Sequence, residues 1–521
     1  MREPSSLRLT DFTFVDVTVE QMGAGGFGLV FMGPNRLTGG EWRALKTLRP
    51  ELLALRPQLR DLFLSECLTW VGLWPHANLL TAQAATEIDG HLFIELDYAE
   101  HGSLRDLLTF DQPFASRFRW AQHIAAGLLA LHTPDPEFLR PSPLVHRDLK
   151  PENVLVNKSG YAMITDFGLA AAIGEAIRAT GAHSRDLDDV GATRSTRAGV
   201  TRLGGAGTIA YMPPEQWDVD GDVGPAADLY AFGLILSELL AGRHGLADLE
   251  AELDEEGWYQ LHLNGTPRPL RSGPTEDASR LPVEVEQLYR ALVAKRPKDR
   301  PSAEEALSIL QQAAAQLGEE PYKPPDIYPR TDEHRRMKWS NWAITCARFD
   351  LFKEALERNE RALTLDPHKF DLLHARGSML GTLALRSRGA GRYEEGRQLL
   401  NEALGWYDRA LDAATTDIER GSVQGMRALQ LSHLDYYAEA ESAFALSLAA
   451  RPDDGNSWFN RAINAVRHAR AEADAGRQAE APQLLELAEE YIDIAAHLGL
   501  ASPQVAQLLG AIQQLRARLG G

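Results

Sequence analysis

The chain has 521 residues and a mass of 57.5 kDa, which is too long for one hydrophobic core and predicts two to four domains. Its composition, 44% hydrophobic and 24% charged, excludes a largely disordered chain, and its net charge of −19 argues against nucleic acid as the main partner. The two cysteines form no zinc-binding spacing and no apolar stretch is long enough to span a bilayer, so we expect a cytoplasmic protein without a membrane span.

The N-terminal part, up to about residue 100, is predicted to form strands with one helical insertion. The segments DFTFVDVTVE and GLVFMG alternate as paired strands do, GGEWRALKTL predicts a further strand, and residues 52–73 have helical periodicity. Helical patterns dominate from about 104 to 315, apart from a mixed segment at 144–170 and a predicted long loop at 171–207. Residues 319–330 contain several prolines, which predicts a semi-extended linker.

Beyond this segment the chain is rich in Ala, Leu, Arg and Glu, and a pattern of landmark residues occurs twice with the same internal spacing. Each half has a short unit, whose first two landmark alanines are close together in sequence, and a long unit, in which the corresponding gap is wider. The landmark pairs are Trp339 and Gln424, Ala343 and Ala428, Ala355 and Ala440, Ala362 and Ser447, Pro367 and Pro452, Gly377 and Ala462, Ala403 and Ala488, Tyr407 and Ile492, and Ala410 and Ala495. Small residues at such positions let antiparallel helices approach closely.

This pattern resembles the tetratricopeptide repeat, a helix–turn–helix unit of about 34 residues. The resemblance covers roughly 336–500, with residues 502–519 as a predicted capping helix. The second and fourth units depart from it by an insertion between their first two landmarks, so the array is predicted to be a duplicated pair of units. A generic helical bundle with alanine at its packing positions is the alternative.

A glycine-rich run lies between the first predicted strands. Residues 23–28, GAGGFG, match the pattern GxGxxG, which by itself could also open a dinucleotide-binding fold. Because VFM continues as a strand where that fold would start a helix, the run favours a hairpin whose backbone amides lie over phosphates. An ordinary glycine-rich hairpin is the alternative.

Three further motifs follow in order. Lys46 lies on the next predicted strand, and Glu66 follows on the predicted helix. Residues 146–153, HRDLKPEN, are followed by DFG at 166–168. In this order and spacing, residues 10–315 resemble the protein-kinase family, and the prokaryote-like architecture is similar to bacterial serine/threonine kinases of the eukaryotic-like type.

The resemblance implies roles for these residues in transferring the γ-phosphoryl group of ATP. Such transfer needs charge neutralisation and alignment rather than covalent help. Lys46 would hold the α- and β-phosphates, oriented by an ion pair with Glu66, and Asp148 would accept or orient the proton of the attacking hydroxyl. Asn153 and Asp166 would supply hard oxygen ligands suited to Mg²⁺, with Mn²⁺ possible.

A larger set is implied to surround ATP. The segment LDYA resembles the interlobe hinge, with Leu96 as gatekeeper, while apolar side chains would form the walls of the adenine slot. Plain core packing is the alternative for any one wall residue. The implied ATP-binding residues are Met22, Gly23, Gly25, Gly26, Gly28, Val30, Ala44, Lys46, Asp97, Ala99 and Leu155.

A second set indicates a protein substrate. Lys150, which closely follows Asp148, is typical of serine/threonine kinases. The segment GTIAYMPPE, which contains Thr208 and Glu215, resembles the substrate-positioning end of the activation segment. Asp228 and Arg300 match the buried helix aspartate and the arginine that pairs with that glutamate. A small-molecule kinase does not need this peptide platform.

The activation segment, from Asp166 to Glu215, is longer than the family usually has. Arg147 is the residue that pairs in many relatives with a phosphate on this segment. We therefore expect autophosphorylation within 184–201, with a disordered insertion as the alternative. The candidate regulatory hydroxyls are Thr193, Ser195, Thr196 and Thr201.

The negative charge is concentrated just beyond this segment. Residues 215–256 contain many acidic side chains and a single basic one, Arg243, and so carry more than half of the net charge. A preference for basic substrate peptides is one interpretation. A solvated acidic loop is the other.

The predicted architecture is an α+β bilobal protein-kinase fold, with a small β-rich lobe and a large helical lobe, followed by an all-α tetratricopeptide-type solenoid. The kinase domain is placed at 10–315 (N-lobe about 10–96, C-lobe about 100–315), a Pro-rich linker at 316–335 and the repeat array at 336–521. We expect a serine/threonine protein kinase whose repeats bind a peptide or protein partner or regulate it. A pseudokinase-type scaffold, in which the repeats are the working part, is the rival hypothesis.

Overall fold

The computed structural model consists of two compact units, Met1–Arg330 and Thr331–Gly521. Each unit is described by itself. The structure describes residues 8–9, 17–18, 20–24, 28–35, 41–55, 57–88, 90–109, 111–167, 209–218, 223–248, 253–274, 276–477, 479–500 and 503–519.

The first unit begins with a small antiparallel sheet. The described strands are β1 (Arg8–Leu9), β2 (Val17–Thr18), β3 (Glu20–Ala24), β4 (Gly28–Asn35), β5 (Glu41–Leu48), β6 (Ala82–Ile88), β7 (His91–Asp97), β8 (Val154–Val156) and β9 (Ala162–Ile164). The strands of the five-stranded sheet are ordered β3–β4–β5–β7–β6, and two separate pairs are formed by β1 with β2 and by β8 with β9.

Alternation along the strands sorts their side chains onto two faces of the sheet. Phe31, Leu45 and Phe93 form one buried apolar cluster with Leu29. Because successive side chains of a strand point to opposite faces, Lys46 lies on the face opposite this cluster. The sheet therefore presents its lysine away from its own core.

Helices make up most of the remainder of the first unit. They are α1 (Pro50–Leu55), α2 (Leu59–Gly72), α3 (Leu104–Leu107), α4 (Phe114–His132), α5 (Ala226–Ala241), α6 (Glu255–Asn264), α7 (Val283–Leu292) and α8 (Ala303–Gln316). Serine starts two of them: Ser103 and Ser302 each form a capping box, with Asp106 and Glu305 respectively. A small sheet-bearing lobe and a helical lobe are thus present, as predicted.

Helix α5 is the centre of the helical lobe. Every residue from Ala227 to Ala241 is buried, including Asp228 and Glu238, as is expected of a helix that is apolar around most of its circumference. This is the most apolar stretch of the sequence, and it belongs to a protein core. Among the described residues, the structure has no helix that is both long and apolar enough to cross a membrane.

Residues 321–331 contain neither helix nor strand, but they are not a free spacer. The Tyr322 hydroxyl donates to Asn78 Oδ1 (2.9 Å), and the Tyr322 amide donates to Gln122 Oε1 (2.8 Å). The Tyr322 ring lies against the His123 ring, with 4.1 Å between centroids. The structure differs here from the expected linker because an aromatic side chain and its backbone amide complete a polar site inside the first unit.

Arg330 fixes the end of the same segment. Its guanidinium pairs with Asp135 (2.6 Å) and Glu137 (3.0 Å) and lies 4.9 Å from the centroid of the Trp74 ring. The Trp74 indole N–H in turn donates to the Tyr328 carbonyl (3.1 Å). The segment that leads toward the second unit is therefore part of the first.

The second unit is helical throughout most of its described residues. Its helices are α9 (Asp332–Arg348), α10 (Phe352–Leu365), α11 (Phe370–Gly389), α12 (Tyr393–Ala413), α13 (Asp417–His433), α14 (Tyr437–Ala450), α15 (Gly455–Asp474), α16 (Ala481–His497) and α17 (Pro503–Leu519). Consecutive helices pack against each other in four pairs: α9 with α10, α11 with α12, α13 with α14, and α15 with α16.

The duplicated landmark pattern corresponds to these helix pairs. The short units contain helices of 17 and 14 residues, and the long units contain helices of 20 and 21 or 20 and 17 residues, so the insertion lengthens the helices. Apart from Pro367 and Pro452, which are exposed, and Gln424, which is half-buried, the landmark residues are buried. A Cβ added to Gly377 would lie 2.6 Å from the Tyr407 ring. Helical pairing is observed, and membership of the tetratricopeptide family stays a prediction.

Candidate active site

Lys46 and Asp166, which are far apart in sequence, form an ion pair. Lys46 Nζ on β5 donates to Asp166 Oδ1 at 2.5 Å. Burial lowers the pKa of Lys46, but Asp166 and, to a smaller extent, Glu66 raise it by more, so the lysine stays charged. Burial likewise raises the pKa of Asp166 while Lys46 lowers it, and the net direction is downward. The Lys46–Glu66 ion pair expected from the sequence stays a prediction.

Asp148 lies in a loop that holds its carboxylate from two sides. Lys150 Nζ contacts both carboxylate oxygens, at 3.1 and 2.9 Å. The Asn153 amide group donates to the Asp148 carbonyl (2.8 Å) and to Asp148 Oδ2 (3.0 Å). Three of the predicted residues thus form one cluster with a fixed carboxylate.

His146 ties this loop to the strand that leads to Asp166. Its Nε2 lies 2.7 Å from the Thr165 carbonyl, and its Nδ1 accepts from the Asp148 amide at 3.2 Å. These two contacts fit a ring in which Nε2 donates to the Thr165 carbonyl and Nδ1 accepts from the Asp148 amide. The Asp148 and Asp166 segments are therefore connected through one side chain.

Asp228 on α5 stabilises this loop through hydrogen bonds to its backbone. It accepts hydrogen bonds from the amides of His146 and Arg147, both at 2.8 Å, and its Oδ2 lies 2.8 Å from His132 Nε2. Arg147 has a φ of 64°, a conformation that is unfavourable for a residue with a side chain. The buried carboxylate offsets this cost by satisfying two loop amides.

Glu215 and Arg300, the predicted platform pair, meet in a bidentate contact. The two guanidinium nitrogens lie 2.5 and 2.8 Å from the two carboxylate oxygens. Next to Glu215, the Gln216 side chain donates to the Arg147 carbonyl at 2.8 Å. The end of the activation segment is therefore attached to the loop that carries Asp148.

Two buried histidines hold the backbone just before this pair. His262 Nε2 lies 2.8 Å from the Ile209 carbonyl, and His244 Nε2 lies 3.0 Å from the Ala210 carbonyl. Burial lowers the pKa of His244 to about 4 and that of His262 to about 3. Both rings are therefore neutral in the folded protein at physiological pH.

This burial predicts that stability falls as the pH is lowered from about 6.5 to about 4. In that range the unfolded chain binds protons that the folded chain does not bind. Each such histidine therefore lowers the free energy of unfolding by up to about 1.4 kcal/mol per pH unit. We expect His262→Gln to have a smaller decrease in melting temperature between pH 7 and pH 5 than the wild type. Equal decreases in both proteins would contradict this assignment.

The predicted hinge connects β7 to α3. The strand register pairs Ala44 with Leu96, and both side chains are buried. The Asp97 amide donates to the Thr81 carbonyl (3.0 Å), while the buried Ala99 accepts at its carbonyl from Gly102 (3.3 Å). Val30 and Leu155 are half-buried, as is suitable for the walls of an adenine slot.

The glycine-rich run is described only in part. A Cβ on Gly28 would lie 2.8 Å from the Thr47 carbonyl, so this strand contact requires glycine. Met22 and Gly23 are on β3, but the Met22 side chain is not described. The predicted residues outside the described ranges are Gly25, Gly26, Thr193, Ser195, Thr196, Thr201 and Thr208.

Sequence reasoning missed several residues that hold the site together. His132, His244 and His262 have no motif of their own, and each is recognisable only from its buried partner. Arg105 on α3 pairs with Glu152 of the Asp148 loop and with Glu238 of α5. No spacing rule indicates such a contact, because its members come from three separate elements.

Together these contacts define a catalytic domain of the protein-kinase type. The family model described as protein kinase domain matches residues 17–310, which is more than half of the chain. The chain therefore belongs to the protein kinase family. The match leaves the second unit uncovered.

Similar proteins include the L-type lectin-domain containing receptor kinase VI.2 of Arabidopsis thaliana, 32% identical over 303 residues, 56% of this chain and 39% of that protein. Receptor-interacting serine/threonine-protein kinase 3 of Rattus norvegicus is 29% identical over 306 residues, 55% of this chain and 54% of that protein. The chain thus spans about half or less of these relatives' length. A solved kinase domain of Mycobacterium tuberculosis PknI is 22% identical with a TM-score of 0.40, covering 60% of this chain and all of that one.

Proposed function

We propose that this chain is a serine/threonine protein kinase that transfers the γ-phosphate of ATP to hydroxyl groups of proteins. The proposal is supported by two charged groups that the structure holds in fixed positions. Lys46 pairs with Asp166, and Asp148 is held by Lys150 and Asn153. Phosphoryl transfer depends on such positioning and on charge neutralisation.

Each side chain has a defined task in this mechanism. Lys46 binds phosphate oxygens, and Asp148 orients the attacking hydroxyl and takes up its proton. Lys150 lies beside Asp148 and provides positive charge where the transferred group would develop negative charge. Asp228 keeps the loop in the conformation that this geometry requires.

The residues present fit a divalent cation. The Asn153 amide nitrogen is occupied by Asp148, which leaves its carbonyl oxygen as the side-chain atom available for a metal. With the Asp166 carboxylate this gives a hard-oxygen donor set, which suits Mg²⁺ together with phosphate oxygens. When bound, the cation would neutralise phosphate charge.

The platform favours protein substrates. Glu215, Arg300 and Asp228 connect the segment that would receive a peptide to the catalytic loop, and Lys150 is the residue typical of serine/threonine specificity. Autophosphorylation within 184–201 and a cytoplasmic location belong to the same proposal. Arg147 is the expected partner of a phosphorylated Thr or Ser in that range.

The second unit would bind a peptide or protein partner. Its two halves share cation–π contacts as well as packing: Arg376 lies over Trp406 (4.6 Å to the centroid), and at the equivalent position of the other half Arg461 lies over Tyr491 (4.3 Å). A helical repeat offers an extended surface for a partner. The rival scaffold hypothesis assigns all function to this surface.

Transfer of label from γ-labelled ATP tests the proposal. We expect label on the wild-type chain or on a general protein substrate, and none with Lys46→Ala, because phosphate would lose its cationic partner. Label in neither protein would support the scaffold instead. Repeating the assay with the chain ended at Arg330, with folding checked by calorimetry, measures whether the second unit changes the rate.

A further inference from the structure

Arg105 is at the centre of a charged cluster beside the catalytic loop. Its Nε lies 2.9 Å from Glu152, and its NH1 lies 2.5 Å from Glu238. Its remaining nitrogen contacts the Tyr211 hydroxyl, which also contacts Glu238. One guanidinium from α3 thus joins the catalytic loop, the platform segment and α5.

This cluster borders the route of a substrate peptide. Glu152 is in the loop that carries Asp148, directly before the predicted metal ligand Asn153. Asp148 and Tyr211 line the same small cavity, so the platform tyrosine is near the catalytic carboxylate. A peptide whose hydroxyl reaches Asp148 therefore passes close to the group that Arg105 contacts.

The charges of the cluster are complementary to a guanidinium. Two carboxylates face one arginine, and the Glu238 side chain is only 7% exposed. Burial raises the pKa of Glu238, and Arg105 opposes this effect. Glu152 Oε2 is buried and lacks a hydrogen-bond partner among the described residues. Without Arg105, the cluster would contain two carboxylates and no cation to neutralise them, so it would favour binding of a positively charged group.

Other acidic residues of the 215–256 stretch are also neutralised internally. Glu215 pairs with Arg300, Asp248 pairs with Arg268, and Asp228 accepts from loop amides. The concentration of negative charge in the sequence is therefore a poor guide to the field that a substrate meets. A preference for basic peptides, which is one interpretation of the sequence, requires an acidic subsite that no cation of the chain itself occupies.

We propose that Arg105 is a specificity-determining residue that fills an acidic substrate subsite formed by Glu152, Glu238 and Tyr211. The chain's own guanidinium takes the place that an arginine of a substrate would otherwise occupy. Wild-type enzyme is therefore indifferent to a basic residue at that substrate position. This inference rests on the proposed protein kinase activity.

A positional peptide set tests the inference. Each peptide has one serine acceptor and one arginine moved through the positions on either side, with a citrulline peptide of the same length as its uncharged match. Wild type is expected to use both members of each pair equally. Arg105→Ser is expected to prefer arginine at one position by about ten- to a hundredfold in kcat/KM, mainly through KM, because a charge-assisted pair forms there.

Arg268→Ser is the matched control, since Arg268 also pairs with a carboxylate and has similar side-chain exposure, 33% against 27%. It should behave as wild type. The arginine peptide should also raise the melting temperature of Arg105→Ser by more than its citrulline match does, whereas the two peptides should have equal effects on wild type. A ratio near one at every position in Arg105→Ser overturns the inference.

A second variant tests the inference in case Arg105→Ser does not fold. If the uncompensated Glu238 unfolds Arg105→Ser, the double variant Arg105→Ser/Glu238→Gln removes the buried charge and leaves Glu152 open. A smaller preference for arginine is expected, and none would overturn the inference. Wild type that labels no peptide and no protein would instead contradict the proposed kinase activity itself.

Discussion

Replacing Asp148 with Asn is expected to lower phosphoryl transfer about a thousandfold, because a positioned general base contributes rate factors of roughly this size. An amide has nearly the same shape but cannot take up the proton of the attacking hydroxyl. The Lys46–Asp166 pair does not include Asp148, so nucleotide affinity should be retained. The effect should therefore appear in kcat with little change in nucleotide binding.

The measurement is label transfer at saturating ATP, together with titration of a fluorescent nucleotide. Asp248→Asn is the control, because this exposed carboxylate pairs with Arg268 away from the loop. It should have wild-type activity. A fully active Asp148→Asn enzyme would show that another group handles the proton. The same inactive variant is the reference for phosphosite mapping of residues 184–201.

Replacing Arg300 with Ala should have the largest effect on stability, about 3–5 kcal/mol, because it leaves the Glu215 carboxylate without its buried partner. The Arg300 side chain is completely buried and lies 4.9 Å over the Tyr230 ring. All three of its guanidinium nitrogens are used. The guanidinium contacts Glu215 and the carbonyls of Ala226, Ala294 and Lys295.

Calorimetry of the full chain is the appropriate measurement, since two compact units are expected to unfold in separable transitions. The transition of the first unit should fall in Arg300→Ala while that of the second stays constant. Arg296→Ala is the control: this arginine is 69% exposed and pairs with Asp299, so its loss should cost less than about 1 kcal/mol. Similar melting of the two variants would contradict the buried pair's role.

The candidate catalytic residues could be picked out from the sequence because the proposed chemistry leaves few choices of residue type. Lys46, Asp148, Asn153 and Asp166 are identified by order and spacing, and the structure brings them together as two ion-pair and hydrogen-bond clusters. The lobes could also be predicted, since strand alternation and helical periodicity are local properties.

The supporting contacts could not be predicted, because each depends on elements that are distant in sequence. Arg105 belongs to a short helix with no distinguishing pattern, and its partners Glu152 and Glu238 lie far along the chain. His244 and His262 are ordinary in sequence and become informative only when buried beside carbonyls. Local propensity contains no information about such pairings.

The C-terminal repeat is an intermediate case. Its helices and their pairing follow from the duplicated landmarks, since a small residue every few turns fixes which face is buried. The lengthening of the helices in the long units could not be derived, because an insertion can equally form a loop.

Tyr322 and its neighbours have a consequence for the order of events during synthesis. The family match ends at residue 310, but the first unit extends to Arg330, and Tyr322 satisfies Asn78 and Gln122, which are synthesised long before it. Although domains of nascent chains generally fold from the N-terminus, these two hydrogen bonds cannot form until Tyr322 has left the ribosome. The polar groups of Asn78 and Gln122 that Tyr322 satisfies therefore gain this partner only when synthesis of the first unit is almost complete.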